Sequence, residues 1–203
     1  MKLLVLPGDG IGPEITDATL AVLEQANAAF GLGLEWQAMD IGFASLERQG
    51  STFPDAVLEA AREAPGVILG PASHLDYPPK ERGGVNPSAE IRVKLDLFAN
   101  IRPARSRLGL GLTGKPVDLV IVRECTEGFY ADRNMFLGNG EFMPAEDMAL
   151  SVRKVTARQC RRIARVAFEW ARRRRKKVTA VHKANVLKIS DGLFLREVRE
   201  VAR

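Results

Sequence analysis

The sequence predicts an α/β fold built on a mostly parallel sheet, and three observations carry that expectation. Short apolar runs at residues 2–6, 34–39, 66–70 and 117–123 alternate with stretches whose apolar residues recur at helical spacing. Strands separated by helices are the pattern of a parallel sheet covered by its own crossovers. A glycine loop, Gly8-Asp9-Gly10-Ile11-Gly12, lies between the first run and the first helical stretch. Finally, the 203 residues are 46% hydrophobic and 27% charged, which excludes a disordered or disulfide-dense chain and suffices for one large domain or two small ones.

Each element follows from local chemistry. Residues 2–6 form a strand ended by Pro7 and Gly8. A helix starts at Pro13, whose missing N–H costs nothing in a first turn, with Glu14 near the positive end of the helix dipole. Ile15, Ala18, Thr19, Val22 and Ala26 are its apolar positions. A strand at 34–39, a helix at 54–64 and a glycine-bounded strand at 66–70 come next. Residues 71–87, rich in Pro and Gly, form a long loop of the kind that is more often functional than idle. A turn or two of helix over 88–96 leads into an extended piece at 97–103, and 117–123 is a buried strand. Residues 131–147 form a hairpin-like excursion with its turn at Gly138-Asn139-Gly140. Thr156 and Gln159 have capping-box spacing, each satisfying a backbone donor near the other. The helix they open carries Cys160, Ile163, Ala164, Ala167 and Ala171 as its apolar stripe. Residues 178–182 form a strand. A last helix runs from about Ser190 to Arg203 and stops within its apolar pattern, without a glycine cap or polar tail, so truncation is expected.

Charge is unevenly placed. Residues 151–177 hold twelve Lys or Arg against one acid, Glu169, which leaves the rest of the chain net acidic although the whole carries +5. The run at 172–177 has the charge to grip phosphates, but it has no aromatic interleaving beyond Trp170, and cations are favourable at a helix C-terminus in any case. No nucleic-acid or membrane partner is expected, since no apolar stretch approaches 18 residues and the first residues do not form a signal peptide. A cytoplasmic location is expected. Cys125 and Cys160, far apart and outside any CxxC, are expected to be free thiols, and His74 and His182 lack metal-ligand spacing.

Several residues are candidates for chemistry, each with a plainer alternative. The glycine loop invites a dinucleotide, but Pro13 and the spacing break the fingerprint and favour a tight strand-to-helix turn. Arg92, Arg102 and Arg123 each border apolar sequence; planar guanidiniums so placed bind carboxylates bidentately, or else pair with the local acids Glu90, Asp96 and Glu124. Tyr130 closes the segment that Arg123 opens, and a neighbouring cation would make it a general acid, where packing is the commoner role. Lys183 follows a strand end, where α/β folds place ligand groups, and is either a base or a solvated side chain.

Four ordered segments together resemble the isocitrate/isopropylmalate dehydrogenase family of metal-dependent β-decarboxylating dehydrogenases. They are Leu6-Pro7-Gly8-Asp9-Gly10-Ile11-Gly12-Pro13-Glu14-Ile15; Asp96-Leu97-Phe98-Ala99-Asn100-Ile101-Arg102-Pro103; Ile121-Val122-Arg123-Glu124 with Thr126-Glu127-Gly128 and Tyr130; and Lys183-Ala184-Asn185-Val186-Leu187. The resemblance implies that family's two-domain α/β fold with its C-terminal portion missing. Residues 1–99 would be the N-terminal part of a first domain, and residues 100–203 a second domain bearing substrate and dimer elements.

The resemblance also implies roles. Arg92, Arg102 and Arg123 would clamp the carboxylates of a malate, Tyr130 would protonate the enolate after CO2 leaves, and Lys183, reaching in from a partner subunit, would help deprotonate the C2 hydroxyl. Asn86 and Ser88 belong to the segment that senses the 3-substituent. Because Val85, Ser88 and Ala89 stand where isopropylmalate enzymes have an acid and paired leucines, the implied substrate is the class of 3-substituted malates, hydroxy-dicarboxylates or tricarboxylates. Ile11 and Asn185 would lie by the NAD or NADP. Mg2+ or Mn2+ would be held by aspartates beyond these residues, so no metal ligand is assigned here. A homodimer is implied, and the 203-residue chain is expected to be inactive alone. The alternative is a non-catalytic remnant or a basic binding module.

Overall fold

The run at the start of the chain becomes the central strand of a three-stranded sheet in a computed structural model that describes residues 1–107 and 115–203. Two units are present, Met1–Asp96 and Leu97–Arg203. In the first, β1 (Lys2–Leu6), α1 (Gly12–Phe30), β2 (Glu35–Ala38), α2 (Phe43–Gln49), α3 (Asp55–Glu63), β3 (Val67–Leu69) and α4 (Pro87–Lys94) follow in order. The sheet order is β2-β1-β3, with both pairings parallel. Leu4 and Leu6 of β1 pack with Ile41, Phe53, Val57, Ala61 and Ile91 to form the buried core.

The glycine loop is a close-packing device. A Cβ on Gly8, whose φ is +82°, would lie 1.9 Å from the Pro71 carbonyl oxygen, and one on Gly12 would lie 2.2 Å from that of Pro7. The backbones of the two loops touch there, which agrees with the tight-turn reading. That approach also selects the face of α1. Gly12 and Thr16 are buried and Leu20 and Leu23 half-buried, whereas Ile15 and Val22, expected on the apolar stripe, are 42% and 69% exposed. The start of α1 thus lies against the carbonyl of Pro7 on the side where Gly12 has no Cβ.

α2 shows no sequence signal, since its two turns are too short to display periodicity. Its first donor is satisfied from outside. The buried Asp9 carboxylate accepts the Phe43 N–H at 2.7 Å, the Ser73 N–H at 3.0 Å and the Tyr77 hydroxyl. Burial, followed by the Asp9 hydrogen bond and charge, pushes the Tyr77 phenol well above its ordinary pKa and keeps it a donor. The Tyr77 ring meets Phe43 edge-on at 5.1 Å. A second anchor, the fully buried Thr52, exchanges bonds of 2.7 Å with the Val85 N–H and C=O and so fixes the approach to α4.

In the second unit β4 (Ala99–Arg105) and β5 (Asp118–Glu124) form an antiparallel pair, β6 (Glu141–Ala145) and β7 (Met148–Ser151) form a hairpin, and α5 (Ala157–Arg172) packs against both β5 and α6 (Ser190–Ala202). The α5 stripe is as expected, with Cys160, Ile163 and Ala164 buried. Three expectations are corrected. The hairpin turn falls at Glu146 and Asp147, because Gly140 is held by bonds to the Ala131 carbonyl and from the Val152 amide; Pro144 lies inside the irregular part of the ladder. The capping box is only half formed. Thr156 Oγ1 accepts the Gln159 N–H at 3.3 Å, but the Thr156 N–H goes to the Glu127 carboxylate, a stronger acceptor, and Gln159 Nε2 donates to Thr126 Oγ1 instead. Residues 178–182, expected as a strand, pair with no described strand. Among the described residues no helix is long and apolar enough to cross a membrane.

Asp9→Ala strands three donors at once and should destabilise the first unit by about 1–3 kcal/mol. Urea unfolding followed by Trp36 emission in a Trp170→Phe background measures it, and an unchanged midpoint would remove Asp9 as the anchor.

Candidate active site

Register places the first pair of candidates. Asn100 stands opposite Arg123 and Arg102 opposite Ile121, so Asn100, Arg102 and Arg123 project from one face of the β4–β5 pair, with the two arginines diagonal neighbours. Arg102 Nε donates to Asn100 Oδ1 at 2.7 Å. Val120 and Val122 take the other face and are half-buried. Both arginines are exposed, and among the described residues neither they nor Arg92 forms an ion pair. Pairing with Glu90 or Glu124 is therefore not what occupies them.

Glu124 has other work. Its carboxylate accepts the Thr126 N–H at 2.7 Å, the Thr126 hydroxyl, and the Glu127 N–H at 2.9 Å. The Glu127 carboxylate in turn takes the Thr156 N–H and hydroxyl at 2.9 and 2.7 Å. The residues just after Arg123 are thus locked to the first turn of α5. Tyr130 lies beyond this lock, half-buried, with the Arg133 guanidinium 4.9 Å from its ring centroid. The Arg133 guanidinium is itself paired with Asp132, its Nη2 lying 2.8 Å from Asp132 Oδ2.

Lys183 and Asn185 are exposed on a turn that leads into α6. The Lys183 carbonyl accepts from Val186 and Leu187, and its N–H donates to Asp191 Oδ2 at 2.5 Å. Asp191 is 4% exposed and also pairs with Arg153. Burial works against its charge, but the Lys183 N–H and the Arg153 guanidinium outweigh it and hold the carboxyl below the ordinary range. Among the described residues no hydrogen bond joins Lys183 to Arg102, Arg123 or Tyr130.

On α4, Asn86 is the N-cap and its side chain accepts the Ala89 N–H at 3.2 Å. Ser88 and Arg92 lie one turn apart on that helix, both half-buried. Ile11, the N-cap residue of α1, is 59% exposed. Among the described residues no group of three or more His, Cys, Asp or Glu is placed to hold a metal. Both cysteines are buried free thiols, and burial, then the charges of Glu127, Glu197 and Glu124, pushes Cys160 up to about 11. In the basic run, Arg174 and Arg175 are committed to Asp118 at the start of β5.

Sequence reasoning missed Asp191, Glu127 and Arg133. Asp191 reads as an ordinary acid in a first helical turn, and no spacing rule links it to Lys183. The pattern Thr126-Glu127 with Thr156 was visible, but only the fold brings its parts together.

The sequence model described as isocitrate/isopropylmalate dehydrogenase matches residues 2–203. The chain is 38% identical over 203 residues to a 3-isopropylmalate dehydrogenase of Archaeoglobus fulgidus, covering 100% of this chain and 56% of that protein. It is 36% identical to a 3-isopropylmalate/3-methylmalate dehydrogenase of Methanocaldococcus jannaschii, covering 99% of this chain and 56% of that one. A crystal structure of isocitrate dehydrogenase from Methylococcus capsulatus superposes with a TM-score of 0.78 at 40% identity, covering 99% of this chain and 56% of that one. The chain thus spans little more than half the length of these relatives.

Because the folded Asp191 carboxyl lies below its unfolded value of about 3.9, its contribution is complete above that pH and is lost as pH falls through the folded value. Amide exchange at Lys183 should stay slow from pH 7 to about pH 5, once corrected for intrinsic rates, and accelerate below about pH 4. Asp191→Asn should flatten that profile, and a wild-type profile already flat to pH 3 would contradict it.

Proposed function

The chain belongs to the isocitrate/isopropylmalate dehydrogenase family, and from that premise we propose that it carries part of the machinery for NAD- or NADP-dependent oxidative decarboxylation of a 3-substituted malate. The single observation that most supports this is the pair of guanidiniums on one face of β4 and β5, exposed and without ion pairs among the described residues. Two planar donors at diagonal positions suit a substrate with two carboxylates. Arg92 has the same role by family resemblance, and Asn86 and Ser88, at the start of α4, sense the 3-substituent.

Lys183 takes part in removing the proton from the C2 hydroxyl, and Tyr130, under the Arg133 cation, returns a proton to the carbon that CO2 leaves. Ile11 and Asn185 lie on the cofactor's binding surface. NAD or NADP, when bound, would supply the hydride-accepting chemistry for oxidation at C2. Mg2+ or Mn2+ would supply Lewis-acid chemistry when bound, but among the described residues no cluster of His, Cys, Asp or Glu is placed to hold it. Its ligands, and the completion of a first domain built on residues 1–99, belong to the further length that the relatives possess.

A second copy of the chain is the expected partner. Phe142, Met143, Met148 and Leu150 on the β6–β7 hairpin are all at least 46% exposed, and a lone two-stranded hairpin is marginal in water. A cytoplasmic location accords with two free thiols. The basic-module reading loses ground because Arg174 and Arg175 already pair with Asp118.

The reading is tested by a cofactor-reduction assay over 3-substituted malates, on the 203-residue protein and on a version joined to the remaining length of the Archaeoglobus fulgidus relative. Turnover is expected only in the joined protein. There, Lys183→Ala should cost about 10²–10⁴-fold in kcat with the circular dichroism unchanged. Arg123→Ala should remove about 1.5–3 kcal/mol of substrate binding, seen mainly in KM. An active Lys183→Ala protein would sink the assigned role, and no turnover on any 3-substituted malate would sink the substrate class.

A further inference from the structure

The entry to the β6–β7 hairpin carries a motif that the proposed reaction does not use. Asn139 is the one asparagine in the chain followed by glycine, and a glycine nitrogen has no side chain beside it to hinder its approach to the preceding carboxamide. Asn139 is exposed and Gly140 is buried. Asn139 Oδ1 accepts the Glu141 N–H at 3.1 Å, a bond across one residue that folds the carboxamide back over the Gly140 peptide. The Gly140 N–H itself donates to the Ala131 carbonyl at 2.9 Å.

These two bonds act in opposite directions on one reaction. An asparagine loses its amide when the next backbone nitrogen, freed of its proton, attacks Cγ. The N–Cγ bond forms, the Cγ–Nδ2 bond breaks, and the displaced nitrogen takes a proton from solvent and leaves as ammonia. Water then opens the succinimide ring at either carbonyl, giving aspartate or isoaspartate. Nothing is oxidised or reduced; water is taken up, ammonia is released and a carboxylate is gained. The bond to the Glu141 N–H holds the carboxamide where attack can occur. The bond to Ala131 keeps the proton on the Gly140 nitrogen and the nitrogen away from base.

We propose that Asn139 is a site of spontaneous deamidation gated by the Gly140–Ala131 hydrogen bond, closed while the hairpin is docked on the residues after Tyr130 and open when it lifts. The gate has few supports. The Val152 N–H donates to the Gly140 carbonyl at 2.7 Å. Asn134, which donates to the Gly128 and Val152 carbonyls, fits against Gly140 closely enough that a Cβ there would lie 3.1 Å from its own Cβ. Both hairpin strands are exposed along their whole length, and such elements open locally at low cost. Aspartate keeps an acceptor for the Glu141 N–H and lets the gate close again. Isoaspartate adds a carbon atom to the main chain directly before Gly140, so the register that gives Gly140 both of its bonds is lost and the gate stays open. The inference rests on backbone bonds and chain chemistry, and not on the dehydrogenase reading.

The test holds the 203-residue protein in mildly alkaline buffer, native and in denaturing urea. Mass spectrometry follows amide loss in the tryptic peptide between Arg133 and Arg153, with fragmentation to separate Asn139 from Asn134 and enzymatic methylation to detect isoaspartate. Relative to a free peptide of residues 134–145 in the same solvents, conversion at Asn139 should be at least about fivefold slower in the native protein, the factor that one net hydrogen bond supplies, and equal in urea. Asn134→Ala should remove much of that native protection without changing the rate in urea, and amide exchange at Gly140 should rise in step. Should that variant fail to fold, wild-type protein in sub-denaturing urea gives the same comparison, since conversion and Gly140 exchange should climb together. Three results overturn the proposal: native conversion as fast as in the free peptide, conversion that stays slow while Gly140 exchange accelerates, or first amide loss in urea at an asparagine other than Asn139.

Discussion

A carboxylate that accepts backbone N–H groups from a segment remote in sequence is the interaction on which the site-bearing loops depend. Asp9 receives donors from residues 34 and 64 positions away. Glu127 receives them from a residue 29 positions away, and Asp191 reaches back eight residues to the Lys183 amide. Each bond is charge-assisted and stronger than a neutral one. Each also satisfies a donor at a place where regular structure has ended, beside the glycine loop, after β5 or before α6, and where an unpaired buried amide would be costly. The chain therefore obtains fixed loops without lengthening its helices or strands.

The same feature explains what could be foreseen. The alternation of strands and helices, the α5 stripe and the Thr156 cap were legible, because each rests on neighbours within a few residues. Arg102 and Arg123 stand out because they border apolar runs, while spacing alone leaves carboxylate binding and local pairing equally open. The antiparallel register that sets them on one face was not legible, because register is a property of two strands and the sequence shows them one at a time. α2 was invisible for a related reason: its first donor is met by Asp9, thirty-four positions away, and it is too short to announce itself by periodicity. The misplaced stripe of α1 has a steric cause. Periodicity counted Ile15 and Val22 as the inner face, but the buried side is that of Gly12 and Thr16, where a Cβ on Gly12 would meet the Pro7 carbonyl.

Charge divides the molecule into groups that are used up and groups that are held ready. Arg153, Arg161, Arg174 and Arg175 are all in ion pairs, with Asp191, Glu197 and Asp118. Glu197 is buried, and the hydrogen bonds of Arg196 and Arg161 hold its carboxyl below the ordinary range. These pairs tie α5 to α6 and the end of the basic run to β5. Arg102 and Arg123 stand outside that network on the opposite strand face. A guanidinium loses little by waiting in water, and it gains two parallel hydrogen bonds only when a carboxylate arrives in its plane. Had Glu124 paired with Arg123, as adjacency in sequence permits, both the lock on residues 124–127 and the free guanidinium would have been lost together.

That choice by Glu124 also bears on Tyr130, the proton donor of the proposed reaction. Tyr130 is six residues from Glu124, beyond a segment with two carboxylates turned into the first turn of α5. Its position relative to Arg123 is therefore set by Glu124, Glu127 and Thr156, none of which has to touch a substrate. Arg133 then supplies the cation over the ring, and Asn134 closes the turn by donating to the Gly128 and Val152 carbonyls at 2.6 and 2.8 Å. Arg123 and Tyr130 thus flank a segment whose carboxylates are bonded to its own backbone and to the first turn of α5. A change at Thr156, far along the chain, would disturb the spacing of Arg123 and Tyr130 through the same carboxylate that caps α5.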